Sequence, residues 1–370
     1  MLARMTKKVG ILTGGGDCPG LNAVIRAVVH VGKERYGWEI FGIEDALSGL
    51  VDLDYRSPHG NVWLELEHVR GILARGGTIL GTSNRSDPFE YVVRDPSGKK
   101  RTIDVSAKVM ENYRKVGLDA IVSIGGDGSM RIARRFGELG MKIVGVPKTI
   151  DNDLAATDQT FGFDTAVGIA TEALDRLRDT AESHDRVMLV EVMGRHAGWI
   201  ALQAGIAGGA DAILLPEIPY RIEPLAELIR QRCRAGKSYS LIVVAEGAVP
   251  VGGDASIGER ALGEMPRLMG AAARVAEALE SRVEADMRVT VLGHIQRGGS
   301  PSSFDRVLAT RYGVAAAELV ERGEFGKMVA LRGGEIVSVD ITEAVAEPKL
   351  VDPRSQIVEQ ARALGISFGE

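Results

Sequence analysis

Short apolar runs recur along this chain, each closing in a polar, glycine-rich loop and followed by a segment long enough for a helix. Val9 to Thr13, Trp38 to Glu44, Asp119 to Ile124, Met141 to Val146, Arg186 to Val192, Leu241 to Ala245 and Arg288 to Leu292 read as strands. Helices are expected from about Ala23 to Tyr36, after Ser129, and from Ala166 to about Ser183. Residues 90–104, turning at Asp95-Pro96-Ser97-Gly98, read as a surface hairpin. No solenoid-type repeat or low-complexity linker interrupts the series. Strand, polar loop and helix in repetition predict a doubly wound α/β architecture, with functional groups gathered at the strand ends.

The loops carry the candidate chemistry. Pro147-Lys148-Thr149-Ile150-Asp151-Asn152-Asp153 follows a strand, which places it at the carboxyl edge of a parallel sheet, where open α/β folds bind ligands. Asp151 and Asp153 are two apart, so in extended backbone their carboxylates share one side and compete. The pair either holds a metal, or divides into a base and a metal partner, or belongs to an Asx-rich turn capping the next helix. Gly14-Gly15-Gly16-Asp17-Cys18-Pro19-Gly20 lies between a strand and a helix, a place where free amides and a helix N-terminus receive phosphate. It is neither G-x-G-x-x-G nor a P-loop, since no Gly-Lys-Ser/Thr follows. Gly125-Gly126-Asp127-Gly128-Ser129 lets a phosphate chain approach the backbone and sets one carboxylate beside it for a phosphate-bound Mg²⁺. Arg85 ends a third glycine-rich loop, and Arg186 and Arg195 bracket a strand that should be buried, which favours anion binding. His294 and Arg297 stand among glycines in Gly293–Pro301.

Composition narrows the class. The 370 residues, 45% hydrophobic, suffice for two domains. Mixed charges, 45 basic against 50 acidic for a net −5, give no reason to expect nucleic acid as a partner. Two distant cysteines exclude a disulfide scaffold and favour a reducing cytoplasm, and no apolar run approaches the roughly 18 residues of a membrane span. The 46 glycines suggest loops in which backbone closeness matters.

Five motifs stand in order: Gly15-Gly16-Asp17-Cys18-Pro19-Gly20-Leu21-Asn22, Gly125-Gly126-Asp127-Gly128-Ser129, Thr149-Ile150-Asp151-Asn152-Asp153, Met193-Gly194-Arg195, and Gly293-His294-Ile295-Gln296-Arg297-Gly298-Gly299-Ser300-Pro301. Together they closely resemble the phosphofructokinase family over roughly residues 9–312. The resemblance implies two Rossmann-like three-layer α/β/α domains with the active site in the cleft between them. Residues 1–146 with about 260–312 would bind the donor, and 147–259 with about 313–370 the sugar phosphate. It implies phosphoryl transfer to the 1-hydroxyl of fructose 6-phosphate, with Mg²⁺ as cofactor.

Carried onto this chain, Asp151 becomes the base, working with Thr149, Asp153 and Arg195. Asp127 becomes the Mg²⁺ ligand, and Gly15, Gly16, Arg85, Gly126, Gly128 and Ser129 fall at the donor. One extra residue within Thr82–Arg85 departs from the family pattern at Arg85. Thr149, Ile150, Asp151, Met193, Gly194, Arg195, Glu246, His294, Ile295, Gln296 and Arg297 match the sugar-phosphate site. Arg186 and Arg288 resemble arginines inserted from a neighbouring subunit, so a homodimer or homotetramer is expected.

The donor turns on two positions. Members using pyrophosphate resemble Gly-Gly-Asp-Asp at the glycine loop, where the second carboxylate crowds the nucleotide. Gly128 leaves that space open and favours ATP, while Lys148 is shared by pyrophosphate users and a mixed group. The alternatives are a pyrophosphate-dependent enzyme of the same acceptor and a non-catalytic sugar-phosphate-binding subunit, against which both Asp127 and Asp151 speak.

Overall fold

The first apolar run forms β1 (Lys8–Thr13), buried along almost its whole length, as a strand covered on both faces must be. In the computed structural model, residues 6–55, 60–95, 97–254 and 270–370 are described. β2 (Glu39–Gly42) and β3 (Val62–Leu64) follow, then a two-stranded hairpin of β4 (Tyr91–Arg94) and β5 (Lys100–Ile103). β6 (Ala120–Gly125) and β7 (Ile143–Pro147) complete the first run, and β8 (Arg186–Val192), β9 (Ala212–Leu214), β10 (Ser240–Ala245) and β11 (Asp286–Val291) the second. β12 (Lys327–Arg332) and β13 (Glu335–Asp340) come last.

Two sheets result, β13-β12-β7-β6-β1-β2-β3 and β11-β8-β10-β9. In the large sheet the chain runs outward from β1 to β3, then restarts on the other side of β1 with β6. β1 and β6 therefore flank a topological switch point, and both glycine loops leave their carboxyl ends there. The small sheet is wholly parallel, with β8 between β11 and β10. Helices cover both faces of each sheet. Leu21–His30 and Ser303–Arg322 pack together on one face of the large sheet, where Gly313 brings the two backbones close: a Cβ there would stand 2.8 Å from the Val24 carbonyl. The expected helix to Tyr36 is α-helical to His30 and continues as a π-type turn over Val31–Tyr36.

The expected segment swap between domains is corrected by the strand pairing. β11, within 260–312, joins the small sheet beside β8, because the helix Ala271–Glu280 makes a parallel crossover onto it. β12, within 313–370, joins β7 in the large sheet through its buried run Met328–Leu331. The chain returns to the first domain along the helix Ser303–Arg322, and only its tail rejoins the second, where Ser367 pairs beside Ala212. The expected boundary near residue 260 lies outside the described residues. Among the described residues, no helix is long and apolar enough to cross a membrane.

Candidate active site

Three loops at the carboxyl edge of the large sheet close on one another. Gly14 N donates to Ile124 O at 2.8 Å and Lys148 N to Gly125 O at 3.0 Å, so the ladders of β1, β6 and β7 extend into their loops. The loop bearing Arg85 is fastened on top: Gly15 N donates to Ser83 O at 3.2 Å and Thr82 Oγ1 to Gly15 O at 2.6 Å. Ser129 packs its side chain against Gly14 and Gly125. At Gly128 a Cβ would meet nothing within 4 Å, so the loop opens onto free space. Asp127 starts the helix Asp127–Glu138, is 44% exposed in its side chain, and accepts from Arg131 Nε at 2.9 and 3.1 Å.

The loop after β7 joins the two sheets, and its own polar side chains fix part of its conformation. Asp151 N donates to Thr149 Oγ1 at 3.1 Å, Thr160 Oγ1 to Thr149 O at 2.7 Å, and Thr160 N to Asn152 Oδ1 at 3.1 Å. Asn152 has φ 52°, the left-handed region that asparagine tolerates. Asp151 Oδ1 is buried with no hydrogen-bond partner. Burial first and the Asp153 charge second push the Asp151 carboxyl up to about 7, against the Arg297 guanidinium. Burial also raises Asp153, with Asp127 adding to the effect, so the two carboxylates sense one another. Ile150 is 1% exposed and its side chain belongs to the core, which leaves only its backbone for a substrate. Lys148 is almost fully buried, donates from Nζ to Gly16 O, and is lowered in pKa by that burial.

From the other side come the ends of β8, β10 and β11. Arg195 Nε is buried and unpartnered, and Arg195 and Arg297 both act against the burial that raises Glu246. Arg297 reaches across: its Nη1 donates to Asp17 O at 3.2 Å, and it lies so close to Gly16 that a Cβ there would stand 2.4 Å away. Gln296 is fully buried, accepting from Met193 N at 3.4 Å and donating to Gly293 O at 3.1 Å, so it braces two loops from within. His294 is exposed and Ile295 is 67% exposed.

Two expected anion ligands are not brought to this cluster. Arg186 opens β8, whereas Met193–Arg195 follow its end, roughly 20 Å further along an extended strand. Arg288 is level with Met188, and both arginines pair with Asp286, Arg186 Nε at 2.8 Å. Arg288 stands on β11, the outer strand of the small sheet, and Arg186 on its inner neighbour β8, both at the end of the sheet away from Arg195. One residue without any motif around it does arrive: Lys349 donates from Nζ to Asn152 Oδ1 at 3.0 Å.

The phosphofructokinase family model matches residues 8–320. An ATP-dependent 6-phosphofructokinase 2 of Clostridium perfringens is 52% identical over 98% of this chain and 99% of its own length. A pyrophosphate–fructose 6-phosphate 1-phosphotransferase of Streptomyces coelicolor is also 52% identical, over 98% of this chain and 100% of its own. Among solved structures, a phosphofructokinase from Saccharomyces cerevisiae superposes with a TM-score of 0.77 at 34% identity, covering 92% of this chain and 45% of that one.

Proposed function

This chain belongs to the phosphofructokinase family, and from that premise we propose that it transfers the terminal phosphoryl group of ATP to the 1-hydroxyl of fructose 6-phosphate, giving fructose 1,6-bisphosphate and ADP. Identity does not separate the donors, since relatives named for ATP and for pyrophosphate are equally similar. The open space at Gly128 carries the choice: a nucleotide needs room beside the glycine loop, and no atom lies within 4 Å of the place a side chain would fill.

The residues supply what phosphoryl transfer asks for, positioning and charge neutralisation. Fructose 6-phosphate enters against Met193, Gly194, Arg195, Glu246, His294 and Arg297, the residues that match the family's sugar-phosphate site. Asp151, buried and raised toward neutrality, accepts the hydroxyl proton as the oxygen bonds to the terminal phosphorus and the bond to ADP breaks. A carboxyl near pH 7 is both ionised enough to act and basic enough to take the proton. Arg195 and Lys148 offset charge on the transferred group.

The donor set suits Mg²⁺, which takes one or two carboxylates and fills its remaining positions with water and phosphate oxygens. Asp127 is accessible, and Asp153 senses its charge. The Asp127–Arg131 pair is exposed, so exchanging it for a cation costs little. When bound with the donor, Mg²⁺ would neutralise phosphoryl oxygens.

A coupled assay with fructose 6-phosphate and Mg²⁺, run in parallel with ATP and pyrophosphate, tests this reading. Turnover with ATP is expected, and Gly128→Asp should raise the KM for ATP more than that for fructose 6-phosphate. Turnover with pyrophosphate alone would overturn the donor assignment.

A further inference from the structure

The loop that carries Asp151 and Asp153 is not held by its own hydrogen bonds alone. Asn152 and Ala156 both take left-handed backbone, at φ 52° and 63°, and such residues persist only where the surroundings insist on them. Part of that insistence comes from almost two hundred residues away. Lys349 Nζ donates to Asn152 Oδ1 at 3.0 Å, Thr157 O at 3.0 Å and Asp158 O at 2.8 Å, so all three ammonium protons are used within one loop. Lys349 N donates to Asp153 O at 2.8 Å.

The same stretch grips the second sheet's loops. Lys349 O accepts from Trp199 Nε1 at 2.8 Å, and Val351 N donates to Glu217 Oε1 at 2.9 Å, the carboxylate that also holds Gly198 N. The segment around Lys349 is thus a strap lying between the loop that bears the base and the loop that follows Arg195.

We propose that Lys349 is a positioning residue for phosphoryl transfer: by closing the Asn152–Asp153 turn it sets the direction in which the Asp151 and Asp153 carboxylates face the reacting groups. It reaches neither substrate itself and acts through Asn152 and the loop carbonyls. The inference rests on the functional reading above.

Steady-state kinetics with fructose 6-phosphate and Mg²⁺-ATP on full-length Lys349→Met, Lys349→Gln, Asn152→Ala and the Lys349→Met/Asn152→Ala pair provide the test, with circular dichroism and melting curves confirming that each is folded. Lys349→Met should lower kcat about 10- to 100-fold, the scale of a misplaced catalytic group. The KM for each substrate should stay within about twofold, because ground-state binding is untouched. Lys349→Gln, which keeps an N–H donor, should recover part of the loss. The double variant should be no slower than the slower single, since both act through one turn. An unchanged kcat, a loss that appears in KM, or losses that multiply would overturn the positioning role. If Lys349→Met does not fold, Lys349→Gln with Asn152→Ala gives the same readings. A wild-type protein that does not phosphorylate fructose 6-phosphate would instead sink the functional reading.

Discussion

Asp151 shows how much one residue's chemistry depends on what surrounds it. Its carboxyl has an ordinary affinity for protons in an open loop, yet here burial and the neighbouring Asp153 carry it to about 7 while Arg297 pulls the other way. Desolvation wins because no hydrogen bond reaches Oδ1 to compensate the charged form. Under the proposed function, replacing it with serine removes the proton acceptor and leaves the sugar's phosphate contacts intact. Asp151→Ser should therefore cost several orders of magnitude in kcat with KM for fructose 6-phosphate barely moved, read from the same coupled assay. A loss confined to a few-fold would assign the base to another carboxylate. Gly128 is the opposite case, acting by what it leaves empty.

Among the elements, the start of the helix Ser303–Arg322 is tied to the start of the helix Phe163–Ser183. Ser302 Oγ caps its own helix by accepting from Asp305 N at 3.2 Å and donates to Asp164 Oδ2 at 2.6 Å. Asp305, fully buried, accepts from Thr165 N at 2.8 Å, while its Oδ1 finds no partner. Burial outweighs the Thr165 donors and raises its pKa from 3.8 to about 6. A raised carboxyl pKa means that the folded state binds the proton more tightly than the unfolded one. The stability this brings is complete below pH ~4 and is lost as pH rises through about 6, a difference of at most about 3 kcal/mol. Asp305→Asn cannot ionise, so its melting temperature should gain on that of the wild type between pH 4 and pH 8. Parallel melting curves across that range would show no background-dependent pH slope if Asp305 ionises freely in the fold.

For the whole molecule, the position of Arg186 and Arg288 is the informative feature. Arg288 sits on the exposed edge strand β11 of the small sheet and Arg186 at the start of its inner neighbour β8, both far from Met193 and Arg195, with Val289 and Val291 exposed along the edge strand. An edge that offers unpaired backbone, apolar side chains and two guanidinium groups is suited to a second copy of the chain. This supports the expectation that each protomer lends these arginines to its neighbour's sugar site. Subunits carrying Asp151→Ser and subunits carrying Arg288→Ser should each be nearly inactive alone. Co-expressed as hybrids they should regain activity, because one site then combines an intact Asp151 with an intact Arg288. Hybrids as inactive as their parents would place Arg288 at its own chain's site or outside catalysis.

The parts of this protein that act over a few residues were settled by its sequence. Apolar runs predicted β1, β6, β7, β8 and β10 to within about two residues, and the glycine loops behind them followed from local backbone needs. Asp127, Asp151, Arg195 and Arg297 could be picked out because each stands in a motif whose chemistry is local. Which sheet a late strand joins is not local: β11 and β12 are both plausible additions to either sheet, and only their packing partners placed them opposite to expectation. Ile150 and Gln296 stand in motifs yet turn inward, since burial is decided by what other segments cover. Lys349 lay in no motif at all, because its role exists only once the chain has brought it back, across 197 positions, to Asn152. The sequence determined which side chains are available, and the tertiary structure decided where each one stands, at what pKa, and held by what.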